Sequence, residues 1–552
     1  MKIFLIALVL CCQLVVAAAN VPLMPVRDLR PGMQGIGKTV ISGDTIETFN
    51  VEILGVSGNE ASGYSIFVRL YGDLIEKTGG VAQGMSGSPV YVDGRLVGAV
   101  AFGKIFNDPH YCFLTPIGSM LRLLDEPVSR PSSWIPQGTA LQAGGFTPEG
   151  LSYLQEKLAP LGLDAVGGGG AGSALTEKLE PGSAVGAAIM QGDLTLGALG
   201  TVTWTDDEGQ VLAFGHPFMQ RGDSNFFMNK VWVLGCIPNL QSSYKVGNIG
   251  EAIGSFTQDR ASGIGGKTGK LPGVIPVHVA VSDSSRGLAN NLRIQVIEDE
   301  KLVPTLVDAA VVNAVSKTLD RAGGGSARVR FSITGVDSKK KPLVIERENM
   351  YYSPDGIMKG INQELIEATN ILMANKFEPV DIYGISVEAQ LSEDVQVAEI
   401  VSAALKKSEA APGESVPVDV VLKPYRGAEF TKTVKFVVPK NHPGGKLNLG
   451  VRGGSSMAWV MNLLRKQQQE GVPAQKKDDR KTLADFVKSV NNADKNNEII
   501  IDVAMAMEQP EPNMAQQDAG FAGMLQGSPF KQKYPFDFIV DGEVNVSLTV
   551  KK

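Results

Sequence analysis

Residues 84–89 read GMSGSP, a serine framed by glycines and followed by a proline. Directly after it come an apolar run, an Asp93-Gly94 dipeptide and a second apolar run, which is the signature of a tight β-hairpin because both turn positions favour positive φ. Ser86 is therefore expected on a short loop entering a hairpin, with Gly84 and Gly87 giving the backbone shapes closed to other residues. A loop held in this way aims successive N–H groups at one point and exposes a hydroxyl beside them. An acyl-transfer nucleophile and its oxyanion hole need that arrangement. A Gly/Ser turn without chemistry has the same letters, so the serine needs a partner.

A serine hydroxyl is a poor nucleophile until a base takes its proton, and histidine is the usual base. The chain has four: His110, His216, His278 and His442. His216 ends the apolar run in VLAFGHPF beside Gly215, where a side chain can be presented at a barrel rim. His110, in NDPHYC, follows the serine hairpin closely enough to lie near Ser86. His278 alternates within PGVIPVHVAV as a structural strand residue, and His442 reads as a surface residue after a strand end. The GMSGS pattern is not the nucleophile elbow of α/β-hydrolases, which puts glycine where Ser88 stands and opens a helix. It fits the β-barrel framing of chymotrypsin-like serine proteases, in which the N–H groups of the serine and of the glycine two residues earlier bind the oxyanion; here these are Ser86 and Gly84. An acid downstream of the histidine in the same barrel is the usual layout, which favours Asp259 in SFTQDRASG, with Asp223 an outsider.

The elements that would position these residues are mostly strands. Residues 26–124 alternate apolar and polar, as at Phe49, Val51 and Ile53. A connector over 125–172 holds a helix in TPEGLSYLQEKLAPLG, capped by Thr147 and stopped at Gly162, and then the flexible joint GGGGAG at 167–172. A second β-rich block spans 173–345, with Glu208-Gly209 turning two strands. A helical connector over 346–375 leads to a β-sandwich-like module at 376–440, where Val416, Val418, Val420 and Leu422 alternate. A mixed region, 441–552, has helices near 456–470 and 482–490, a polar loop near 508–533 and a last hairpin at Asp541-Gly542. The fold class expected is mainly β with some α: two β-barrel halves, 20–124 and 173–345, followed by the sandwich-like and mixed α/β region.

Length and composition set the outer limits. A chain of 552 residues is too long for one core, and its 63 glycines and 30 prolines favour turns and strands. A net charge of −6 with signs mixed throughout leaves no basic footprint for nucleic acid. The N-terminus, MKIFLIALVLCCQLVVAAAN, reads as a secretory signal over 1–19 with a small-x-small site at Ala17-Ala18-Ala19. Export to the periplasm or the extracellular envelope is expected, with no transmembrane span after cleavage. Cys112 and Cys236 would remain, either paired or as buried thiols. No metal-ligand spacing is present, and no cofactor is expected. ASGIGGKTGK at 261–270 looks like a phosphate loop, but Ala261 stands where that motif needs glycine, so no nucleotide is expected either.

Three stretches, GIGKTVISGDTIETFNVEILGV, KTGGVAQGMSGSPVYVDGRLVGAV and GTVTWTDDEGQVLAFGHPF, resemble signature segments of the SpoIVB-type serine peptidases. The resemblance implies Ser86 as nucleophile, His216 as base and a chymotrypsin-like double β-barrel. Here the serine segment precedes the histidine segment, the reverse of the family's order, and a triad defined by geometry tolerates that. The family's acid register falls on Tyr71, which makes Asp73, two residues on, the alternative to Asp259. No PDZ-like module is evident. The function expected is an exported serine endopeptidase cleaving a protein or peptide of the cell envelope. The alternative is a non-catalytic envelope scaffold or binding protein that keeps the peptidase fold.

Overall fold

The computed structural model describes residues 21–551 apart from 104–107, 126–139, 170–177, 240–241, 320, 322, 359, 455–481 and 504–529. The signal segment, part of the GGGGAG joint, the helix expected near 456–470 and most of the 508–533 loop lie outside the described residues. The chain forms two compact units: residues 1–146, 155–274 and 295–298 make the first, and 147–154, 275–294 and 299–552 the second.

The first unit holds two six-stranded barrels. Barrel 1 comprises β1 (Gln34–Val40), β2 (Ile46–Asn59), β3 (Gly63–Tyr71), β4 (Pro89–Val92), β5 (Arg95–Phe102) and β6 (Tyr111–Pro116), closed in the order β1-β2-β3-β6-β5-β4. Its apolar residues fall at every second position, so one face of each strand turns inward. Phe49, Val51 and Ile53 on β2 meet Ile66, Val68 and Leu70 on β3, and Val90, Val100, Cys112 and Leu114 complete the interior. Asp93 and Gly94 carry the expected positive φ, 50° and 72°, and turn β4 into β5. A short helix α1 (Asp73–Thr78) follows β3, and α2 (Ile117–Asp125) follows β6.

Two short strands, β7 (Leu141–Gly144) and β8 (Ala165–Gly167), flank the helix α3 (Pro148–Leu158), where the Thr147 hydroxyl accepts from the Gly150 N–H at 3.0 Å. Barrel 2 follows with β9 (Ala184–Gly192), β10 (Thr195–Thr205), β11 (Gln210–Ala213), β12 (Gly222–Ile237), β13 (Tyr244–Arg260) and β14 (Gly263–Thr268). These pair in the order β9-β12-β13-β14-β11-β10, and a β9–β10 ladder closes the ring. The architecture is that of a chymotrypsin-like double barrel. The GIGGKT letters form β14, a barrel strand in place of a loop cradling phosphate.

The 173–345 block divides. Its strands through Thr268 close barrel 2, whereas those beginning at Ile275 belong to the second unit. There β15 (Val274–Asp283), β16 (Leu288–Ile297), β17 (Gly325–Val336), β18 (Pro342–Ser353) and β19 (Asp381–Ser392) make a sheet in the order β18-β17-β19-β15-β16. The helix α4 (Val303–Leu319) is buried along almost its whole length. The sandwich draws on more chain than 376–440: Val397–Leu405, Ser415–Pro424 and Phe430–Val437 supply one sheet, and Gly445–Gly453, Glu498–Val503 and Glu543–Val550 the other. Val418, Val420 and Phe436 meet Leu449, Ile501 and Leu548 in one core. Asp541-Gly542 is not a hairpin turn; it carries the chain from a strand paired with Val397–Glu399 to one paired with Gly445–Arg452. Among the described residues no helix is long and apolar enough to cross a membrane.

Candidate active site

The 84–88 loop is held rigidly by its own backbone. The N–H groups of Met85, Gly87 and Ser88 donate to Ala82 O, Val100 O and Met85 O at 2.9, 2.7 and 2.9 Å. Those of Gly84 and Ser86 donate to no partner among the described residues. Gly84 and Gly87 have φ of 89° and 93°, a region in which a side chain is strained. A Cβ at 87 would also run into Thr201 O and the Phe214 N. The loop therefore presents two unused donors on either side of Met85, beside the Ser86 hydroxyl.

Barrel 2 grips this loop from the other side. Thr201 donates through its N–H to Ser86 O at 2.8 Å and through its hydroxyl to Gly84 O at 2.9 Å, and the Thr203 hydroxyl donates to Gly87 O at 2.8 Å. The segment carrying His216 arrives at the same place. Val100 O, which accepts from Gly87, would lie 3.0 Å from a Cβ at Gly215, and the Thr115 hydroxyl of β6 donates to Gly215 O at 2.6 Å. Phe214 and Gly215 both take positive φ, 68° and 69°. For a buried phenylalanine this is a costly backbone, and such strain gathers at functional sites.

His216 is fully buried, and its Nδ1 lies 2.7 Å from Pro217 O. A carbonyl oxygen only accepts, so Nδ1 carries the proton and Nε2 is the basic nitrogen. Burial pulls the His216 pKa down to about 4, against a smaller upward pull from the Pro217 carbonyl. The imidazole is thus neutral at ordinary pH, the form a general base needs. The Ser86 hydroxyl, itself nearly buried, makes no hydrogen bond among the described residues.

The two acids occupy different settings. Asp259, on β13 and wholly buried, accepts from Phe218 N at Oδ1 (2.7 Å) and from Met219 N and Arg221 N at Oδ2 (2.8 and 3.1 Å). It gathers the turn that follows His216. Burial raises its pKa, and the backbone donors pull the other way. Asp73 does not extend β3: Gly72, with φ of 105°, breaks the strand, so Asp73 opens α1 and is exposed. Asp223 is an exposed partner of Arg260 at 2.8 Å.

The other histidines lie elsewhere, two of them with partners of their own. His110 faces Asp108 at 2.7 Å through Nδ1 and Glu76 at 3.2 Å through Nε2. His442 Nδ1 accepts from Gly444 N, and His278 lies on β15. Cys112 and Cys236 form no disulfide; burial raises their pKa to about 12 and about 11. Among the described residues no cluster of His, Cys, Asp and Glu could hold a metal.

One polar residue at the site escaped the sequence reading. Lys245 on β13 is buried against Gly84, with its ammonium on Thr39 and Thr201. In SSYKVGNIG an apolarity count turns Val246 inward and Lys245 out, whereas residues 245, 247 and 249 are the buried ones.

A family model described as SpoIVB peptidase S55 matches residues 16–121, the stretch that includes barrel 1 and the GMSGSP loop. No curated protein and no solved structure matches the chain. The first two signature stretches fall inside the match, and the His216 stretch lies beyond it. The segment that carries Ser86 is thus similar to the SpoIVB peptidases, a likeness that supports a serine-type peptidase.

Proposed function

We propose that the protein is an exported serine endopeptidase that cleaves a protein of the cell envelope. Ser86 Oγ attacks the scissile carbonyl, and His216 Nε2 takes the proton and later hands it to the leaving amine. The Gly84 and Ser86 N–H groups hold the oxyanion of the tetrahedral intermediate, and water then releases the acyl group from Ser86. Pro217 O keeps the imidazole in the required tautomer, and Asp259 fixes the turn beyond it. The observation that carries this reading is the pair of undonated N–H groups, of Gly84 and Ser86, on a serine loop that barrel 2 clamps from behind.

Labelling by a fluorophosphonate probe tests it. The wild type should label at Ser86, and Ser86→Ala should lose at least about 1,000-fold in rate. An unlabelled wild type, or labelling that survives the substitution, overturns it. N-terminal sequencing of protein from the envelope fraction tests export, with a start near Asn20 expected.

A second reading is the non-catalytic envelope scaffold. It is favoured by the Ser86 hydroxyl having no hydrogen bond to His216, although such bonds are often loose without substrate. Absence of labelling would favour it.

A further inference from the structure

Lys245 is only 2% exposed and has no carboxylate within ion-pair reach among the described residues. Its Nζ donates to two hydroxyls, Thr39 Oγ1 at 2.9 Å and Thr201 Oγ1 at 3.4 Å. Burying an ammonium without an anion is unfavourable, and an apolar side chain would pack there at lower cost. A structural role alone does not account for it.

Three contacts direct Lys245 at one residue. Its main-chain N–H donates to Gln83 O at 2.9 Å. That carbonyl shares a peptide plane with the Gly84 N–H, so the bond aims the donor. The Lys245 stem covers the face of Gly84, where a Cβ would sit 3.1 Å from Cδ. Finally, its ammonium reaches Thr201, whose hydroxyl donates to Gly84 O and whose N–H donates to Ser86 O.

We propose that Lys245 is a positioning residue for the oxyanion hole, its ammonium fixing Thr201 and Gly84 and placing positive charge behind the donor pair. The inference rests on the peptidase reading of Ser86. Burial pulls the Lys245 pKa down to about 7. Cys236, opposite it on the β12–β13 ladder, is the titratable group that acts on it, and Thr39 on β1 and Thr201 on β10 bring only neutral hydroxyls. The protonated form is the supportive one, so the site weakens as pH rises through this value. The limb set by His216 lies far lower, near 4.

The test is the fluorophosphonate rate at Ser86 from pH 5.5 to about 9, with thermal melts alongside. The wild type should slow by at least about tenfold across the range, less than the loss of a whole oxyanion donor. Lys245→Met should be slow and flat with pH, yet melt higher than the wild type at pH 6, an outcome a structural lysine would not produce. Lys245→Arg should stay fast at high pH. Thr39→Val, a milder change remote from the loop, should move the alkaline limb downward if Lys245→Met does not fold. A Lys245→Met protein with the wild-type rate and profile overturns the inference while labelling of the wild type keeps the peptidase reading. So does an unmoved limb in Thr39→Val. Normal labelling of His216→Ala with none in Lys245→Met would also overturn it, in favour of a Ser/Lys pair. A wild type that never labels removes both readings together.

Discussion

The two barrels have the same strand count and closure but opposite interiors. Among the described residues barrel 1 buries hydrocarbon, a few hydroxyls and the Cys112 thiol, and no charged side chain. Barrel 2 seals off His216, Lys245 and Asp259 together with Thr201 and Thr203. Barrel 1 thus contributes a loop held by backbone hydrogen bonds, and barrel 2 contributes the buried groups whose pKa values are displaced. Buried polar groups must be satisfied or they destabilise, so barrel 2 accepts lower stability in exchange for a defined electrostatic environment.

The largest expected effect strikes the seam between the two. Gly87→Ala forces a Cβ onto Thr201 O and Phe214 N at a φ of 93°. It should cost at least about 3 kcal/mol and abolish Ser86 labelling, as read by urea denaturation and probe rate. If the variant is as stable as the wild type, the loop is not clamped as described.

Next comes acid sensitivity, which should reside in barrel 2. His216 has a folded pKa of about 4 against 6.5 for the free side chain. Between those values the unfolded chain binds a proton that the folded one refuses, so stability falls as pH drops through the window, by about 3 kcal/mol in all. Denaturation midpoints from pH 7 to 4 measure this, and His216→Gln should remove that share of the slope. Lys245 adds a second slope at higher pH. Its folded pKa of about 7 lies below the ordinary 10.5, so stability gains as pH rises between them.

Asp259→Asn should have a smaller effect. An amide turns one N–H face toward the donors of the 218–221 turn, which costs about 2 kcal/mol and lowers kcat more than it raises KM. Asp73→Asn should change neither melting nor labelling, because that carboxylate is exposed at the start of α1. Collapse of activity in Asp73→Asn with Asp259→Asn unaffected would reverse the roles given to the two acids.

Much of the site is legible in the letters because the cues are local. GMSGSP needs only its own glycines to form its loop, Asp93-Gly94 makes its own hairpin, and alternation at Phe49, Val51 and Ile53 sets one face of β2. Asp73 leaves the β3 register for a local reason too: Gly72 converts a continuing strand into a helix start. Lys245 was hidden because its register is imposed by β12 and by the closure of barrel 2, against the preference of Val246 for the interior.

The sequence by itself determined the serine loop, the strands and the short supply of histidines, since each depends on neighbours a few residues apart. Only the tertiary structure decided that Thr201 and Lys245 pack against that loop, that Gly215 lies on Val100 O behind it, and that Asp259 holds the turn after His216. Their contacts span up to 206 residues of chain. Such contacts follow from barrel closure and burial, which no local pattern encodes.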